Sequence, residues 1–141
     1  MPALSPLLLL IPLLGLASCS GMPGSPTSVV KDAFIALQSG NETDFEAALT
    51  AESRENPPGF CAGNATQCIQ RSYASSGLLY ASQLVLVAEI GLAAEVELRT
   101  SWSGSQKPSC QTYKLVDDGT RWRITTFTPV RPCPGVQKAA E

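Results

Sequence analysis

The sequence contains no histidine, and it has no excess of positive charge. Its 141 residues carry 10 basic and 12 acidic side chains, which gives a formal net charge of −2. Without histidine, the chain has no histidine general base, no Ser-His-Asp triad and no histidine-ligated metal site. A nucleic-acid-binding domain of this size normally carries a clear basic surplus. We therefore expect no metal, no other cofactor and no nucleic-acid partner.

Charge is also missing from the first thirty residues, and the first charged side chain is Lys31. The apolar run Leu7–Leu16 is shorter than the roughly 20 residues that a helix needs to span a bilayer. Its length is typical of the hydrophobic part of a secretory signal. The run ends in Leu16-Ala17-Ser18-Cys19, which resembles the lipobox of bacterial lipoproteins. The resemblance implies cleavage before Cys19, a diacylglycerol on its thiol and often a further acyl chain, such as palmitate, on its amine.

We therefore expect residues 1–18 to be a lipoprotein signal peptide and Cys19 to be the lipidated residue. Residues 19–26 read as the acylated cysteine and a Gly/Ser/Pro tether, 27–135 as the folded domain and 136–141 as a tail. The resulting location is the bacterial cell envelope, lipid-anchored to a membrane and facing the periplasm or exterior. The alternative is an ordinary secretory signal cleaved nearby, with Cys19 lost or left as a free thiol.

Five cysteines are many for so short a chain, and they indicate an oxidising compartment. Removing Cys19 leaves an even number, Cys61, Cys68, Cys110 and Cys133, which permits three disulfide pairings. Proximity in the sequence favours Cys61 with Cys68, and that choice leaves Cys110 with Cys133. No Cys-x-x-Cys spacing occurs, so metal binding and redox catalysis are weaker interpretations than structural disulfides.

The pattern of the remaining chain predicts helices first and strands afterwards. Ser25-Pro26 forms a helix start, and apolar residues from Val29 to Leu37 share one face until Gly40 ends the helix. The sequence 43–46 has the form of a capping box for a short second helix over 44–49, and a helical turn is expected near 68–73. Extended segments are expected at 84–90, 96–102, 111–116 and 122–127, with Asp117-Asp118-Gly119-Thr120 as a hairpin turn. The prediction is an α+β domain with N-terminal helices packed on a curved antiparallel sheet.

The predicted first helix includes Val29–Asn41, which reads VVKDAFIALQSGN, and the predicted hairpin includes Leu115–Ile124, which reads LVDDGTRWRI. These two stretches resemble small bacterial lipoproteins of the nuclear transport factor 2-like superfamily. The resemblance implies a cone-shaped α+β fold. It carries no specific chemistry, because the matching residues are packing and turn residues.

Glu89 is the one carboxylate inside the apolar run 84–90, and a carboxylate enclosed by apolar residues can act as a general acid or base. Enzymes of the superfamily, such as ketosteroid isomerases, place acidic and tyrosine groups inside the cone. No motif specific to those enzymes occurs here, so Glu89, Tyr80 and Tyr113 are candidate pocket residues by type alone. The alternative is a strand edge or bend at which Glu89 faces water.

The charges are distributed unevenly along the chain. Residues 31–55 carry six acids and two bases, whereas residues 99–138 carry seven bases and two acids. A tethered domain could turn the basic end of its sheet, which includes Arg121 and Arg123, toward anionic headgroups or another envelope component. The simpler interpretation is a solvated sheet face.

These observations favour a membrane-anchored envelope lipoprotein whose domain binds a small ligand or an envelope partner, or serves as a structural module, without catalysis. The alternative is an isomerase- or cyclase-like enzyme that uses a carboxylate in the cone pocket. An inward-facing Glu89 and tyrosine would favour the enzyme, and a cone filled with side chains would favour the binding or structural module.

Overall fold

The computed structural model describes residues 24–134, which form four helices followed by five strands. The α+β prediction is confirmed. The signal peptide, Cys19, most of the tether and the tail 136–141 lie outside the described residues. The elements are α1 Pro26–Gln38, α2 Glu42–Ala47, α3 Ala51–Glu55, α4 Ala65–Tyr73, β1 Leu79–Ile90, β2 Ala93–Trp102, β3 Ser109–Asp117, β4 Trp122–Phe127 and β5 Arg131–Pro132.

Helix α1 begins and ends where the sequence predicts. The Ser25 side chain accepts a hydrogen bond from the Ser28 backbone N–H at 3.2 Å, and Pro26 occupies the first helical position. Gly40 follows the helix with a φ of +71°, a left-handed conformation that glycine adopts without strain. Val30, Phe34 and other apolar residues of one face are buried.

Helix α2 begins earlier than predicted, so the capping box at 43–46 is wrong. Asn41 is the N-cap: its side-chain oxygen accepts from the Asp44 N–H at 3.1 Å, and its amide donates to the Asp44 carboxylate at 2.7 Å. The helix also ends before Leu49, because the segment after it pairs with β4. The Ile124 N–H donates to the Ala48 carbonyl at 2.8 Å, and the Thr50 N–H donates to the Ile124 carbonyl at 2.9 Å.

The sheet is an antiparallel meander in the order β1-β2-β3-β4, and β5 pairs with the first part of β3. Strand β2 shows the predicted alternation. Its even-numbered residues from Ala94 to Trp102 are buried under the helices, and Glu95, Glu97, Arg99 and Ser101 point to the other face. Strand β1 is the edge of the sheet and pairs only with β2 among the described residues, so most of its residues are exposed.

The β3–β4 hairpin forms as predicted around Gly119, whose φ is +94°. Its register differs from an ideal ladder centred on Asp118-Gly119, which would place Cys110 near Phe127. Phe127 lies opposite Tyr113 instead, because Asp117 pairs with Trp122 and the register shifts once more beyond Leu115. Cys110 therefore pairs with Arg131 of β5.

Two disulfides are present, the Cys61–Cys68 bond that sequence proximity favours and the Cys110–Cys133 bond that this choice leaves. Cys61, which precedes α4, is bonded to Cys68 within that helix. Cys110 of β3 is bonded to Cys133, which follows β5. The first closes the loop that precedes α4, and the second fastens the last described residues to the central strand β3. The Cys110 side chain is fully buried, whereas Cys133 is half-buried.

Candidate functional site

The structure does not bring the three candidate pocket residues together. Glu89 and Tyr80 are exposed near opposite ends of the edge strand β1, and Tyr80 is 69% exposed. Tyr113 is only 2% exposed and lies in the core. Glu89 pairs with Ala94, which places it on the helix side of the sheet but in solvent. The pocket that the enzyme alternative requires is therefore not formed by these residues.

Tyr113 belongs to a buried hydrogen-bond network that the sequence analysis missed. The Gln111 side-chain oxygen accepts from the Tyr113 hydroxyl at 2.6 Å and from the Tyr73 hydroxyl at 3.1 Å. The Gln111 amide donates to the Thr128 carbonyl at 3.0 Å. Burial raises the pKa of both tyrosines well above the usual value, so the hydroxyls remain protonated donors at neutral pH.

Aromatic rings occupy the space between α1 and the sheet. Tyr73 stacks on Trp102 with ring centres 5.0 Å apart, and Phe34 meets Tyr73 edge-on at 6.0 Å. These rings and the Gln111 network are buried between the helices and the sheet. The sequence offered one signal for the network, since Gln111 and Tyr113 are spaced to share one face of β3.

A surface cleft of about 510 Å³ lies between α1, α2 and the β3–β4 hairpin. Ala33 and Trp122 lie in its wall, and Asp32, Asp44 and Arg121 supply its charged groups. The cleft is open to solvent and carries both signs of charge. It therefore has room for a small polar ligand but no arrangement that indicates a particular chemistry.

Arg121 and Arg123 fasten the hairpin to α2. Each guanidinium donates to the Ala47 carbonyl at 3.1 Å, and Arg123 also forms an ion pair with Asp118. A carbonyl at the C-terminal end of a helix is a favourable acceptor for cations. These two arginines are thus occupied by internal contacts, which weakens the hypothesis that they face anionic headgroups.

The Asp118 carboxylate organises the hairpin turn. It accepts hydrogen bonds from the Thr120 hydroxyl at 2.6 Å, from the Thr120 N–H at 2.9 Å and from the Arg121 N–H at 3.0 Å. Hydrogen bonds from Thr120, followed by those from Arg121 and Arg123, hold the pKa of Asp118 well below its usual range.

Asp118→Asn is therefore expected to lower the melting temperature at neutral pH. A carboxylate whose pKa is depressed on folding stabilises above its unfolded pKa of about 4, and this contribution is lost as the pH falls further. The difference from the unsubstituted protein should shrink progressively below about pH 4 in thermal unfolding followed by circular dichroism. Asp117→Asn is the matched control, because that carboxylate accepts a single turn hydrogen bond, from Gly119. A gap that stays constant down to about pH 2 would contradict the assignment.

Besides the surface cleft, the domain exposes an apolar hairpin tip between β1 and β2. We call it the apolar tip, and it consists of Ile90, Gly91 and Leu92. Ile90 is 80% exposed and Leu92 is 67% exposed. Gly91 has a φ of +59°, as a tight turn between paired Ile90 and Ala93 requires. The Asp117 N–H donates to the Leu92 carbonyl at 2.9 Å, so the tip is held against β3.

Within residues 24–134 no helix is long and apolar enough to cross a bilayer, and no cluster of three or more acidic or cysteine side chains could hold a metal ion. No protein-family model, no curated protein and no solved structure matches the chain.

Proposed function

We propose that this chain is a lipid-anchored bacterial envelope protein whose small α+β domain acts as a binding or structural module without catalysis. Its anchor is an acylated Cys19 that follows a cleaved signal peptide. The domain then faces the periplasm or the exterior, within reach of an envelope protein or a small ligand.

The observation that carries this proposal is the division of the cysteines. The four cysteines of the domain pair with one another, and both pairs are structural disulfides of the kind that exported proteins retain. Cys19 is thus the single cysteine without a disulfide partner in the domain, at the position where the lipobox resemblance places the acylated thiol.

The interior supports a binding or structural role over an enzymatic one. Aromatic rings and the Gln111 network are buried beneath α1, and Glu89 lies in solvent. Binding surfaces therefore lie on the outside of the domain. We further propose that the domain is nuclear transport factor 2-like, because helices that precede an antiparallel meander follow the order of that fold.

Mass spectrometry of protein purified from native membranes tests the anchor. We expect the mature chain to begin at Cys19 and to carry the added mass of two or three acyl chains, which together hold a protein firmly at a membrane. A second test is partitioning between water and a detergent that separates from it on warming. Cys19→Ser should move the protein from the detergent phase to the aqueous phase, and Ser20→Ala is the matched control that should stay in the detergent phase. A different N-terminus, or an absence of fatty acid, would overturn the proposal.

A further inference from the structure

The N-terminus of the domain lies at a definite end of the sheet. Leu37 and Gln38, at the C-terminal end of α1, lie beside Gly77 and Trp102, where β1 begins. Val29, in the first half of α1, and Trp122, at the other end of the sheet, line the same cleft. Thirteen helical residues extend about 20 Å. The chain therefore enters the domain at the end opposite Trp102.

The apolar tip lies at this same end. Ile90 closes β1 opposite Ala93, Ala93 pairs with Val116, and the next residue of β3, Asp117, pairs with Trp122. The β1–β2 tip and the entry point of the chain are therefore neighbours along one rim of the domain. Leu78, which is 78% exposed, precedes β1 at the opposite rim.

The tether is too short to hold this rim far from a membrane. Cys19 and Gly24 are five residues apart in the sequence, and an extended chain covers at most about 3.6 Å per residue, or about 18 Å in all. A lipid on Cys19 would thus keep the apolar tip close to the headgroups. Such a short tether gives the tip a high effective concentration at the membrane surface. Even a weak contact between the tip and the lipids would therefore persist.

We propose that the apolar tip rests in the surface of the bilayer that holds the Cys19 lipid, with Ile90 and Leu92 inserted among the lipid chains. This inference rests on the lipid anchor proposed above. The tip suits a lipid surface because residues 90–94 include no polar side chain, whereas hairpin turns in water favour Asn, Asp and Gly. The domain would then be held in one orientation, with the Leu78 rim away from the membrane.

The charges around the tip indicate whether the contact depends on the charge of the lipid headgroups. Glu89, Glu95 and Asp117 lie nearest to it together with one base, Lys114, and the β3–β4 turn on the same rim adds Asp118, Arg121 and Arg123. This surplus of negative charge gives no attraction to anionic headgroups, so the contact depends on apolar burial. It should therefore form on zwitterionic phosphatidylcholine and persist in high salt.

Fluorescence quenching by brominated phosphatidylcholine tests the contact in the full lipidated protein. Leu92→Trp places a reporter at the tip, and Leu78→Trp places one of similar exposure at the far rim. The native Trp102 and Trp122 are buried and give the same background in both variants. We expect at least about twofold stronger quenching of the added fluorescence in Leu92→Trp, because the bromine atoms lie among the acyl chains into which a membrane-bound apolar face inserts.

Three other outcomes overturn the inference, and they differ in whether the proposed lipid anchor is overturned with it. Equal quenching in two vesicle-bound, lipidated variants removes the tip contact and leaves the anchor intact. Failure of the protein to bind vesicles because Cys19 carries no lipid removes the proposed function as well. If the unlipidated chain sediments as a dimer that Ile90→Ser/Leu92→Ser converts to a monomer, the tip is a contact between two copies.

Discussion

Gln111→Ala is expected to lower the free energy of unfolding by about 4 kcal/mol, because it removes the hydrogen-bond partner of two buried hydroxyls and of one partly buried carbonyl. The Tyr73 and Tyr113 hydroxyls lose their common acceptor, and the Thr128 carbonyl loses a donor. Each unsatisfied buried group costs about 1–3 kcal/mol, and the cavity left by the shortened side chain adds to the loss. Since domains of this kind are stable by about 5–15 kcal/mol, the loss should be visible as a large shift in urea midpoint.

Tyr73→Phe is the matched control for this network. It keeps the ring that stacks on Trp102 and removes the 3.1 Å hydrogen bond to Gln111, whose oxygen still accepts from Tyr113. We expect a loss of about 1 kcal/mol. If Gln111→Ala were no more destabilising than Tyr73→Phe, the network would not be the polar centre of the core.

The parts of the fold that the sequence predicted correctly depend on neighbouring residues. Ser25-Pro26 starts α1 because a hydroxyl cap and a fixed φ act locally. Strand β2 follows from a period of two, and the β3–β4 turn follows from a glycine with positive φ. Cys61–Cys68 was favoured because a short separation along the chain is the easiest to close, and that choice left Cys110 with Cys133.

The parts that were missed depend on contacts between distant residues. The apolar run 84–90 indicated a strand and left two alternatives for Glu89, an enclosed carboxylate or a strand edge facing water; only the strand order shows that the second is correct. The hairpin register was not predicted, because the ladder shifts once beyond Leu115 and no glycine or proline within residues 113–116 or 122–127 marks that shift in the sequence. Gln111 receives its role from Tyr73, 38 residues away, and no local pattern indicates that contact.

The two disulfides are expected to differ in their effect on stability. A disulfide restricts the unfolded chain more when it closes a longer loop. Cys110 and Cys133 are 23 residues apart, and Cys61 and Cys68 are 7 apart. The loop-entropy relation gives about 3.4 kcal/mol for the longer loop and about 2.4 kcal/mol for the shorter one.

Cys110→Ala/Cys133→Ala should therefore be the more destabilising pair of substitutions, as measured by urea unfolding. The loss of stability should exceed the loop-entropy contribution given above. The reason is that Cys110 is fully buried beside Gln111 on β3 and loss of its sulfur leaves a cavity there. Cys61→Ala/Cys68→Ala is the matched control, since it also removes one bridge and two sulfur atoms. Equal losses, or a larger loss from the Cys61/Cys68 pair, would show that β5 and the residues after it are held by packing and backbone pairing rather than by the bond to Cys110.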